Sequence, residues 1–156
     1  MKRFIGCDPG KSGALVCISS DGVEIVPFDE IAYRDTLERW SKDECYAVLE
    51  AVSAMPGNGA VSMFSFGDTF GFVRGMLLAF RISYQTMRPQ SWKKLYNLNL
   101  GKDKTKAEKK AASIAVCNSL FPNVSLKRTE RCAKPDDNIA DALLLAETAR
   151  RIFSTN

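Results

Sequence analysis

Histidine is absent from the 156 residues. That excludes Ser-His-Asp and Cys-His catalysis and any imidazole-bound metal. A hydrolase built on this chain is left with carboxylates and a hard metal ion as its tools. The cysteines Cys7, Cys17, Cys45, Cys117 and Cys132 form no Cys-x-x-Cys pair and no zinc-like spacing; most lie in apolar segments and are expected to be reduced, buried thiols. No apolar run approaches the roughly 18 residues of a membrane span. The opening MKRFIGCDPG lacks the apolar core of a signal peptide, because Asp8 arrives too soon. The expected location is the cytoplasm, with no membrane partner. There is no internal repeat and no linker long enough to split the chain, so residues 1–156 are expected to form a single domain.

A nucleotide-binding P-loop is also missing, although GCDPGKSGALV suggests one. A P-loop needs Gly, four residues, then Gly-Lys-Ser/Thr. Here only three residues separate Gly6 from Gly10, and they include Asp8 and Pro9. A carboxylate inside a phosphate cradle repels its ligand, and proline removes an N–H donor. No nucleotide cofactor is expected. The question becomes why an Asp ends an apolar run and is followed at once by Pro-Gly.

Charged residues make up 26% and hydrophobic residues 46%, the balance of an ordinary globular protein. The net charge is only +4, but its distribution is uneven. Lys93, Lys94, Lys102, Lys104, Lys106, Lys109, Lys110, Lys127, Arg128, Arg131 and Lys134 face only Asp103, Glu108 and Glu130 within the same stretch. Such a basic surface suits a polyanion partner; a solvated helix face plus a basic loop is the plainer alternative.

Strands are predicted over Phe4 to Asp8, Ala14 to Ser19 and Val23 to Phe28, the three forming an antiparallel meander. Ala32 to Lys42 reads as a polar, exposed helix. Tyr46 to Val52 is a fourth strand holding Glu50. Ser53 to Gly67 is expected as a loop, first rich in Gly, Ser and Pro and then aromatic. Asp68 to Ile82 has Phe70, Val73, Leu77 and Phe80 at helical spacing. Ser83 to Met87 is the fifth strand, and Pro89 suits the first turn of a short helix through Leu95. Lys104 to Leu120 reads as an amphipathic helix with Ala107, Ala111, Ile114 and Cys117 on its apolar stripe. Phe121 to Pro135 is a basic loop, and Asp136 or Asp137 caps a last helix running to Phe153. Antiparallel strands followed by helix-separated ones predict an α/β fold, a five-stranded mixed sheet with helices on both faces.

Ligand sites in such sheets collect beyond the carboxyl ends of strands. Asp8 and Glu50 lie at two such ends. Asp137 and Asp141, four apart in PDDNIADALLLAE, share a helical face with Leu144. Each acid has a plain alternative: Asp8 as a turn starter, Glu50 as an edge residue facing water, Asp136 and Asp137 as cap and dipole partners. Asp141 fits least, because a carboxylate among Ala140, Ala142 and Leu143 is costly unless paired or bound to metal. The four together suit hard divalent cations, which take oxygen ligands.

Taken in order, IGCDPGKSGALV, VLEAV, MFSFGDTFG, PQSWKK and DDNIADALLLA resemble the RuvC-type Holliday junction resolvases, within the RNase H-like superfamily, and more narrowly their small phage-encoded branch. The resemblance covers nearly the whole chain. It implies an RNase H-like fold, a homodimer, and two Mg2+ or Mn2+ ions per active site held by acids matching Asp8, Glu50, Asp137 and Asp141. Some members space the last two acids three apart, where this chain has Asn138. Asp137 is assigned as the third ligand and Asp136 as the cap, with Asp136 the alternative ligand. The resemblance makes Gly10, Lys11, Ser12 and Gly13 a tight turn that admits DNA backbone to Asp8. It also places an aromatic in the loop of Phe64 and Phe66, where stacking on unpaired bases is possible; Phe66 in the core with only Phe64 exposed is the alternative.

The implied reaction is metal-dependent hydrolysis of phosphodiesters in four-way junctions and other branched DNA. Lys93, as a catalytic residue, or Lys94 stabilises charge at the scissile phosphate, with plain surface charge as the alternative. Lys102 and Lys104 extend the basic DNA-binding surface. If phage-encoded, the protein acts in the cytoplasm of a bacterial host. Competing readings are a general RNase H-like nuclease on flaps, forks or RNA–DNA hybrids, and a non-catalytic module that binds branched DNA. Actin-like kinases open with a similar hairpin but need a second, ATP-binding domain for which 156 residues leave no room.

Overall fold

The structure is a computed structural model and describes residues 1–51, 57 and 59–154. The elements follow in the order β1 (Lys2–Asp8), β2 (Ala14–Ser19), β3 (Gly22–Pro27), α1 (Glu30–Trp40), β4 (Glu44–Glu50), α2 (Ala60–Ala79), β5 (Ser83–Met87), α3 (Pro89–Lys94), α4 (Lys106–Leu120) and α5 (Asp137–Phe153). The sheet order is β3-β2-β1-β4-β5. β1, β2 and β3 form the expected antiparallel meander, while β4 and β5 run parallel to β1.

Side chains alternate across the sheet, so each strand feeds two cores. Phe4, Val16 and Val48 join Trp92, Cys117 and the apolar side of α5 on one face. Ile5, Cys7, Leu15 and Leu49 join Tyr33, Leu37 and Trp40 of α1 and Val73 and Leu77 of α2 on the other. The mixed sheet flanked by helices is therefore as predicted. Among the described residues no helix is long and apolar enough to cross a membrane.

Several expectations need correction. α1 is not an exposed helix: Tyr33, Leu37 and Trp40 are buried at three- and four-residue steps, and only its outer face is polar. Asp29 caps it by accepting a hydrogen bond from the Ala32 N–H at 2.8 Å. The predicted loop Ser53 to Gly67 is helical from Ala60 onward, so Phe64 and Phe66 stand on the first turns of α2. Ala60, Met63 and Phe64 carry no helix-breaking feature, and neither glycine nor proline lies between Ala60 and Phe66 to stop the helix earlier. Residues 52–56 and 58, part of that loop, lie outside the described residues, as does the predicted end of the fourth strand at Val52. On α4, Ala107 and Ala111 are exposed; the buried positions are Ser113 and Cys117, with Ala112, Ile114 and Val116 partly buried. α4 starts two residues later than predicted because Thr105 and Glu108 form a reciprocal capping box.

Candidate active site

The parallel register of β1 and β4 sets Cys7 beside Leu49, so Asp8 and Glu50 are the next pair along. Both point to the same side as Gly6 and Val48. That side is covered by α5. Gly6 has no side chain, and α5 lies directly on it: a Cβ there would stand 2.0 Å from the Ala142 carbonyl oxygen and 2.3 Å from the Ala146 nitrogen. This seat puts Asp141, one residue before Ala142, over the ends of β1 and β4.

The result is a cleft of about 1250 Å3 with Asp8, Glu50 and Asp141 in its lining. The β1–β2 turn from Pro9 to Gly13 forms one wall, including Lys11 and Ser12; Ser62, Ser65 and Phe66 of α2 and the stretch Arg88 to Ser91 form others. Gly10 has φ +129°, a conformation side chains rarely adopt, and the Phe66 ring lies over it at 3.2 Å from where a Cβ would be.

The acids crowd one another. Burial, then the charges of Glu50 and Asp141, push the pKa of Asp8 well above the carboxylate range, while Lys93 opposes this. Burial raises Glu50 as well, against a hydrogen bond from Trp92. Asp141 is raised chiefly by burial, with Lys93 and the Ser113 hydroxyl pulling it down. Its Oδ1 is buried and makes no hydrogen bond; among the described residues only Tyr33 Oη shares that condition. An orphaned carboxylate oxygen amid other acids is costly, and it suits a cation.

Asp136 and Asp137 separate clearly in the structure. Asp136 is the cap of α5: its Oδ1 accepts from the Asn138 and Ile139 N–H groups at 2.9 and 3.2 Å, and its Oδ2 accepts from Arg128 Nε at 2.8 Å. Burial works against its charge, but Arg128 and those N–H groups hold its pKa below the usual range. Asp137 accepts a 3.1 Å bond from Lys110 of α4, and its charge is felt at Asp8 and Asp141. Asn138, not Asp137, lines the cleft beside Asp141. As the side chains stand, no group of three His, Cys, Asp or Glu among the described residues is arranged to hold a metal ion. The oxygen-only donor set and the orphaned Asp141 Oδ1 still fit a hard divalent cation in kind.

Of the other predicted residues, Phe66 is half-exposed in the cleft wall and Phe64 is 80% exposed on the outer side of α2. Lys93 sits with its ammonium 5.3 Å from the Trp92 ring centre. Lys94, Lys102 and Lys104 are exposed and lie outside the cleft lining. Sequence reasoning assigned no role to two residues that organise the site. Trp92, inside the quoted PQSWKK, donates its indole N–H to Glu50 Oε2 at 2.7 Å. Arg128, counted only as basic charge, donates to the carbonyls of Ser12 and Gly13 as well as to Asp136, tying the β1–β2 turn to the start of α5.

Comparison with solved structures decides the fold. A Thermus thermophilus RuvC in complex with a Holliday junction substrate superposes with a TM-score of 0.60 at 13% identity, over 99% of this chain and 98% of that one. The fold is that of RuvC. A second Thermus thermophilus RuvC structure gives a TM-score of 0.56 at 15% identity, covering 97% of this chain and 96% of that one. No protein-family model and no curated protein matches the sequence. The RuvC fold thus spans the chain from β1 to α5, at an identity that speaks for the fold alone.

Proposed function

We propose that this chain is a divalent-metal-dependent endodeoxyribonuclease that cuts Holliday junctions and other branched DNA. The observation that carries this reading is the pairing of Asp8 and Glu50 on adjacent parallel strand ends beneath the unpartnered Oδ1 of Asp141, in an open cleft on a RuvC fold. Asp8, Glu50, Asp137 and Asp141 would hold two Mg2+ or Mn2+ ions. Bound there, such ions supply Lewis acidity for phosphodiester hydrolysis. Lys93, whose charge is felt by Asp8, Glu50 and Asp141, stabilises negative charge developing on the phosphate.

The surroundings support a DNA backbone in the cleft. Lys11, Ser12 and Arg88 line it, and Lys94, Lys102 and Lys104 extend the positive surface beyond it. Phe66 in the wall and the exposed Phe64 offer rings for unpaired bases at a branch point. The outer side of α2 carries Gly67, Gly71 and Gly75 with open space above them, flanked by exposed Phe64 and Leu78. A second copy covering that apolar strip would give the two-fold dimer needed to nick paired strands.

The test uses end-labelled four-way junction, Y-fork and linear duplex DNA with Mg2+, Mn2+ or EDTA. Paired, symmetric, metal-dependent nicks on the junction support the proposal. Equal cutting of forks and junctions moves it to a broad branch-specific nuclease. Tight junction binding without cutting in either metal overturns catalysis in favour of a binding module.

A further inference from the structure

Trp92 is fully buried, yet its only polar atom is spent on the cleft. An indole N–H can donate but not accept, and here it donates to Oε2 of Glu50 at 2.7 Å. The ring is itself fixed. Tyr96 packs edge-on against it, with centroids 6.5 Å apart and planes at 65°. The Tyr96 hydroxyl is held by α5, donating to the Leu144 carbonyl at 3.0 Å and lying 3.0 Å from Thr148 Oγ1. The Lys93 ammonium also lies over the indole, 5.3 Å from its centre. A connected run of contacts therefore joins α5, which carries Asp141, to the carboxylate on β4.

We infer that Trp92 is a positioning residue for Glu50: its N–H holds Oε2 and sets the carboxylate plane, leaving Oε1 as the oxygen available to a cation in the cleft. The inference rests on the reading of Glu50 as a metal ligand. A carboxylate at the end of a strand, on a flexible three-bond stem, otherwise samples several rotamers. Groups that hold a ligand through its second atom change metal affinity without touching the ion. Lys93 gains from the same arrangement, because a ring held rigidly beneath its ammonium keeps the charge near Asp8.

The test is Mn2+ titration by calorimetry on the full chain without DNA, for the unaltered protein, Trp92→Phe, Glu50→Gln and the double variant. Trp92→Phe removes the donor and keeps an aromatic ring. It is expected to weaken Mn2+ binding roughly 10- to 100-fold. The double variant is expected to bind no more weakly than Glu50→Gln alone, because the N–H acts only through that carboxylate. Unchanged affinity in Trp92→Phe beside a loss in Glu50→Gln overturns the inference and leaves the active-site reading standing. Losses that multiply in the double variant also overturn it, since they mean that the ring merely packs. Full Mn2+ affinity and cleavage in Glu50→Gln would remove the underlying reading as well. If Trp92→Phe does not fold, benzothienylalanine at position 92, with sulfur in place of the ring N–H, asks the same question with the shape kept.

Discussion

Gly6 on β1 lies against the Ala142 carbonyl of α5, with 2.0 Å between that oxygen and the place a Cβ would occupy. The neighbours are backbone, which cannot rotate away. Gly6→Ala must therefore lift α5 from the sheet and carry Asp141 away from Asp8. The expected loss is about 1–3 kcal/mol or more. At about 2–4 °C per kcal/mol for a chain of this length, the melting temperature reports it directly. Cleavage is expected to fall further than the fraction unfolded accounts for.

Asp141→Asn is expected to abolish cleavage while junction binding survives. Its effect on stability runs the opposite way. The carboxylate has a buried oxygen without a hydrogen bond and sits among other acids, so neutralising it removes repulsion. The melting temperature in EDTA should hold or rise. A variant that still cuts would sink the assignment.

The three neighbours at the start of α5 make a separable series. Asp136→Ala loses the cap and takes from Arg128 its carboxylate partner, which costs about 1 kcal/mol or more in stability. Asp137→Asn loses only an exposed pair with Lys110, worth about 0–1 kcal/mol, and should reduce cleavage with little change in melting. Asn138→Ala completes the set. Loss of Mn2+ affinity in Asn138→Ala but not in Asp137→Asn would transfer the third position to the residue that lines the cleft.

Phe64 is 80% exposed, so Phe64→Ala should leave stability within about 0.5 kcal/mol. A stacked base contributes about 1–3 kcal/mol, which corresponds to roughly 5- to 150-fold weaker junction binding. Gel-shift titration against junction and linear duplex separates the two, because only unpaired bases are available to the ring. A drop in melting temperature with unchanged binding would assign Phe64 to packing.

Glu147 supplies a pH dependence away from the cleft. Its carboxylate, 3% exposed, accepts from Arg150 at 2.7 and 2.9 Å and from Arg151 at 2.8 Å. Burial opposes its charge, but the two guanidinium groups lower its pKa below the ordinary value. A lowered folded pKa contributes stability above the unfolded value of about 4.3 and loses it as pH falls through the folded value. Glu147→Gln should be less stable at neutral pH. The melting temperatures of the two proteins should converge on acidification, as thermal scans in a pH series would show.

Much of this molecule was legible from local patterns. The meander, the helix-separated strands and the last helix follow from apolar periodicity and from caps such as Asp136, interactions that span only a few residues. The acids Asp8, Glu50 and Asp141 were legible because a carboxylate at the edge of an apolar run is costly wherever the chain folds. The burial of α1 was not legible, since Leu37 and Trp40 share a core with Ile5 and Cys7 of β1 and with Val73 and Leu77 of α2, far from them in sequence. Nor was the helical start of α2, where the early Gly, Ser and Pro of the preceding stretch masked the apolar helix beginning at Ala60.

The sequence by itself determined which groups are available for chemistry: oxygen ligands without imidazole, a basic segment, and aromatics after the fourth strand. Only the tertiary structure decided how they are held. The parallel register of β1 and β4 sets Asp8 beside Glu50, Gly6 admits α5, Trp92 reaches Glu50 across 42 residues of chain, and Arg128 ties the turn after Asp8 to the helix bearing Asp141. These relations join residues far apart along the chain, and no local spacing encodes them, because they exist only once both cores have packed against the sheet.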